Sequence, residues 1–130
     1  MPLTPADKNA ILEKLKEVLR KQAPPMVLHR DGPNGIELIG NKPVPYGSKK
    51  VIIPGMFFSA AIIRKDMVSF HFFPIYYKQE EFESLIPNTI KYLKGKTCFN
   101  FRKPEQVNEK EINAMLKKGV QVWKKLGYVK

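Results

Sequence analysis

Apolar residues recur at helical spacing at both ends of this chain and at a period of two near its middle. Ile11, Leu12, Leu15, Val18 and Leu19 make one stripe, with most of the neighbouring lysines and glutamates off it. Thr4-Pro5-Ala6-Asp7 precedes that stripe with an N-cap hydroxyl, a proline at the first helical position and an acid at the third. Pro24 and Pro25 close it, because a residue before proline is pushed out of the α region. A helix over about residues 4–22 follows. At the other end Ile112, Met115, Leu116, Gly119, Val122, Trp123 and Leu126 keep a three-and-four repeat. Asn108 and Glu111 read as its capping box and Gly127 as its stop, which predicts a helix over about residues 108–126.

Between the helices the pattern is that of strands. Phe57–Ile63 and Met67–Phe73 flank Arg64-Lys65-Asp66, so a short turn makes them an antiparallel hairpin. Alternation puts Val68, Phe70 and Phe72 on one face and Ser69, His71 and Phe73 on the other. A loop of Lys65-Asp66 alone places Ala60 opposite His71 and Ala61 opposite Phe70. Thr97–Phe101 reads as a further strand, with Phe99 and Phe101 on one face and Cys98 and Asn100 on the other. Met26–His29 and Ile36–Ile39 read as two short strands joined through the turn residues Asp31–Gly35. Asn41–Gly55, rich in proline and glycine, reads as a loop with edge-strand fragments. Within it Val51-Ile52-Ile53 is apolar enough to be expected over the core. Lys78–Leu93 reads as helical, divided by Pro87. The sum is one α+β domain, residues 1–130, with its sheet and short helices over about 26–102. The terminal helices are expected on one face of an antiparallel sheet, leaving the other partly open.

Charge changes this picture at one end only. The net charge is +11, and residues 90–130 carry 11 positive against 3 negative side chains, so +8 of it sits there. Lys110, Lys117, Lys118, Lys124 and Lys125 on the last helix are therefore candidates for a polyanion, nucleic acid included. Lysines outnumber arginines 19 to 4, whereas base and phosphate readout favours the arginine fork, so a plain solvated face is the competing reading. The single Cys98 excludes an internal disulfide, and no run approaches a membrane span of roughly 18 apolar residues. An intracellular, cytoplasmic protein with no membrane association is expected.

Candidate chemistry is sparse. His71 is a polar residue among phenylalanines, suited to ligand hydrogen bonding, acid–base work or plain structural bonding. Cys98, Ser69 and Asn100 would join it if the Thr97–Phe101 strand pairs beside the hairpin, and a Cys–His pair is a known nucleophile arrangement. Tyr46 and Phe58 complete the candidate ligand surface. Glu80, Glu81 and Glu83 read as a solvated helix turn more readily than as a cation site. No zinc spacing, phosphate-binding glycine loop, dinucleotide fingerprint or serine-hydrolase elbow is present.

Tyr46-Gly47, Pro54-Gly55-Met56-Phe57-Phe58, Val68-Ser69-Phe70-His71-Phe72-Phe73-Pro74 and Lys94-Gly95-Lys96-Thr97-Cys98-Phe99-Asn100-Phe101 together resemble the YdhG-like family of small bacterial domains of unknown function. The resemblance spans roughly residues 40–126. It implies a frataxin-like fold, with terminal helices over one face of an antiparallel sheet, and some relatives carry an iron-chaperone label. Iron is thus a cargo implied by the resemblance alone. Frataxin-type iron binding uses an acidic first helix, and here Asp7, Glu13 and Glu17 sit among Lys8, Lys14, Lys16, Arg20 and Lys21. The reading that follows is a non-enzymatic domain without a cofactor, binding a small molecule or a protein on the open sheet face near His71. Iron delivery and polyanion binding are the alternatives.

Overall fold

The computed structural model describes residues 4–130. Its first helix, α1, is Pro5–Arg20, and the Thr4 hydroxyl oxygen accepts from the Asp7 N–H at 3.1 Å. The apolar stripe of α1 is buried throughout. After the proline pair come β1 (Val27–Gly32) and β2 (Gly35–Ile39), then a small ribbon of β3 (Val44–Tyr46) and β4 (Val51–Ile53). The central hairpin is β5 (Phe57–Ile63) and β6 (Val68–Phe72). A one-turn helix α2 (Gln79–Glu83), the strands β7 (Leu93–Lys94) and β8 (Cys98–Phe101), and the long α3 (Glu109–Leu126) complete the chain.

Six strands form one antiparallel sheet in the order β1-β2-β5-β6-β8-β7, and β3-β4 stands apart as a two-stranded sheet. The hairpin register matches the two-residue loop: Ala60 pairs with His71, Ala61 with Phe70, and the Arg64 N–H reaches the Met67 carbonyl at 2.8 Å. Both terminal helices pack on one face of the sheet. Val68, Phe70, Phe72, Phe99 and Phe101 point into that core beside the α1 stripe and Ile112, Met115, Leu116 and Trp123 of α3.

Gly119 sets the distance between α3 and the sheet. A Cβ there would stand 2.6 Å from Phe72 Cζ and 3.0 Å from Phe58 Cε1, so only glycine lets the helix settle on those rings. Asn108 Oδ1 accepts from the Glu111 N–H at 3.1 Å, which is half of the expected capping box. The other half is diverted. The Glu111 carboxylate reaches across to Asn88 and Thr89 and ties their turn to α3.

Two expectations about these segments fail. Val51 and Ile52 are 60% and 65% exposed rather than over the core, because β3-β4 pairs only with itself, whereas Ile53 does pack against the core. The 78–93 segment is helical over Gln79–Glu83 alone, followed by turns and a 3-10 turn at Ile90–Tyr92. Pro87 and the Glu111 carboxylate, which takes the amides of residues 88 and 89, leave no continuous helix there. No helix among the described residues is long and apolar enough to cross a membrane.

Candidate functional site

Strand register builds the open face row by row. Glu37, Ala60, His71, Cys98 and Lys94 lie side by side across β2, β5, β6, β8 and β7. In the next row Ile62, Ser69 and Asn100 are partners. Ser69, His71, Cys98 and Asn100 are thus neighbours, as the alternation along β6 and β8 implied. Asn100 Oδ1 accepts from Ser69 Oγ at 3.2 Å and from Cys98 Sγ at 3.4 Å. His71 is half-buried, and its backbone carbonyl accepts from Ser59 Oγ at 2.6 Å.

The electrostatics of this group oppose nucleophilic chemistry. Burial, seconded by the Arg64 charge, pulls His71 below the ordinary imidazole value. Burial also pushes the Cys98 thiol up, against weaker opposing effects from the Ser69 hydrogen bond and from Arg64. A reactive Cys–His pair needs the reverse on both sides, a thiolate facing an imidazolium. Here the two groups are a neutral ring and a protonated thiol. The thiol serves as a hydrogen-bond donor to Asn100.

A concave part of the open face lies at one end of this row, between the sheet and β3-β4. It is a cleft of about 560 Å³. Ile39, Phe57 and Phe73 form its sheet side, and Tyr46, Ile53 and Pro54 of the ribbon region form its outer wall. Phe57 and Phe73 stand with ring centroids 6.2 Å apart. His29 and Glu37 supply the polar end, joined at 2.7 Å between Nδ1 and Oε2. Gly55 stands in the same wall where the chain crosses Gly40, and a Cβ there would strike the Gly40 carbonyl.

Of the residues expected to bind, Tyr46 lines this cleft, whereas Ser69, His71, Cys98 and Asn100 lie on the same sheet face but outside its lining. Phe58 does not take part. It is fully buried, with its ring 5.7 Å from Phe72 and 6.0 Å from Trp123. The reason is a bulge. Leu38 pairs with Ser59 but Ile39 with Phe57, so the extra residue Phe58 turns to the helical side. Phe57 takes the place expected for it. Glu37 was not singled out, although Ile36-Glu37-Leu38 already places an acid on the face opposite two core residues.

A second concavity, of about 820 Å³, runs between α3 and the Tyr77–Glu81 turn. Lys117, Lys118 and Lys125 line it, whereas Lys110 and Lys124 lie elsewhere on the exposed surface of the same helix. Among the described residues no three or more His, Cys, Asp or Glu side chains gather closely enough to hold a metal ion. Comparison with protein-family models, curated proteins and solved structures finds no match to this chain.

Proposed function

We propose that this chain is a non-enzymatic, YdhG-like binding domain. It holds a small, flat, mostly apolar ligand with one hydrogen-bond donor in the cleft between the open sheet face and β3-β4. The carrying observation is the composition of that cleft, aromatic and aliphatic walls around a single imidazole–carboxylate pair. Sites for small molecules have this character, concave and apolar with a few placed polar groups, and volumes of roughly 300–1,000 Å³. Phe57, Phe73 and Tyr46 supply ring faces, and an amine or amide N–H on the ligand would meet the Glu37 carboxylate. The absence of an activated nucleophile in the His71–Cys98 group supports binding rather than turnover.

A protein-observed NMR screen with amino-substituted heteroaromatic fragments tests the reading. Shifts are expected at Ile39, Phe57, Phe73 and Thr97, and Glu37→Gln should weaken each hit about ten-fold by replacing a charged acceptor. Fragments that bind only elsewhere, or affinities indifferent to Glu37→Gln, would remove the proposal.

A further inference from the structure

The α3 groove has a different chemistry from the sheet cleft. Its apolar surface is Tyr77, Val122 and Leu126, with Tyr77 42% and Leu126 46% exposed. Its rim is lysine. Lys78 lies 3.8 Å from Glu81, but Lys117, Lys118 and Lys125 face no acid of their own helix, since Ala114–Leu126 contains none. Among the described residues no ion pair engages an α3 lysine. The rim therefore keeps an uncompensated positive charge beside uncovered hydrocarbon.

We infer that this groove receives a short acidic amphipathic helix of a partner protein. Both halves of the surface are then used, leucine-type side chains against Val122, Leu126 and the Tyr77 ring, and carboxylates against the lysines. Spacing suits such an occupant. Lys118 and Lys125 are seven residues apart, about 10.5 Å along the helix axis, which is two turns of a helix lying alongside. A nucleic-acid strand fits less well. It would use the charge, but bases stack on aromatic faces, and Val122 and Leu126 offer aliphatic surface that phosphates leave uncovered.

The test titrates the ¹⁵N-labelled full chain with three probes. They are a synthetic peptide of about four helical turns with leucines along one stripe and glutamates flanking it, the same composition scrambled, and an oligothymidylate. The patterned peptide should bind at least about ten-fold more tightly than the scrambled one, with shifts centred on Tyr77, Val122 and Leu126. Lys118→Glu with Lys125→Glu should cost at least about ten-fold, whereas Lys110→Glu with Lys124→Glu, the same change in net charge, should cost no more than about three-fold. Leu126→Asp, at an exposed position that leaves the core intact, should remove binding. Equal affinity for the scrambled peptide, no peptide binding at millimolar concentration, or tighter oligothymidylate binding that ignores Leu126→Asp would each overturn the inference.

Discussion

Glu111 is nearly buried, and its carboxylate accepts from Asn88 Nδ2 at 2.7 Å, Thr89 Oγ1 at 2.8 Å and Thr89 N at 2.9 Å. Burial alone would raise its pKa. The donors of Thr89 and Asn88 outweigh that and hold it below the usual carboxylate range. Glu111→Ala would leave the buried Thr89 donors without a partner and free those of Asn88, and a loss of about 2–4 kcal/mol is expected. Urea denaturation reads it as a lower midpoint at unchanged slope; a midpoint indistinguishable from the parent would mean that the tie carries no weight. Cys98 offers a second check at this scale. With its thiol pushed up by burial, it should react with a disulfide reagent at neutral pH several-fold more slowly than a free thiol of ordinary pKa. Reaction as fast as glutathione would reinstate the nucleophile reading. The role of Glu111 was not legible in the residues alone. Asn108-x-x-Glu111 spells a capping box, and only the tertiary position of Asn88 and Thr89 redirects the carboxylate.

At the level of elements, the local signals that proved sufficient were those with a short-range cause. Thr4, Asn108 and Gly127 mark helix ends through bonds or dihedrals within a turn, Gly127 at φ 86°. The β5–β6 register follows from alternation and a two-residue loop. Phe58 and the β3-β4 ribbon were misread because their causes are remote. A bulge depends on the register of the neighbouring strand, and the exposure of Val51 and Ile52 on where a self-paired ribbon sits. The cleft inherits this difficulty, since its wall is that ribbon. Gly119 makes the element-scale prediction. Alanine there would gain about 1 kcal/mol in helix propensity yet drive a methyl into Phe72 and Phe58, at a cost of about 1–3 kcal/mol. Gly119→Ala should therefore be destabilising on balance. A rise in the thermal midpoint would show that α3 lifts away freely.

Across the whole molecule the charge is lopsided, and the one sheet face without a helix carries the half-buried His71. Burial and Arg64 both disfavour the imidazolium in the folded state, while the unfolded chain protonates it at the ordinary value of 6.5. A depressed folded value means that the unfolded state takes up the proton first as pH falls. The contribution of His71 is thus fully present above about pH 6.5 and is lost as pH drops through and below it. Asp31 behaves alike in a lower window. The Arg20 hydrogen bond, followed by that of Lys16, holds it below its ordinary 3.8, so its share and that of Glu111 persist until the mildly acidic range is passed. Two separate losses follow on acidification, one near the histidine range and one among the carboxylates. Thermal midpoints of the parent and of His71→Asn between about pH 7.5 and about pH 5 separate them. The parent should lose stability more steeply over that interval. Parallel curves throughout would mean that the imidazolium is as well accommodated on the open face as in water, and that the face around His71 is wetter than its burial implies.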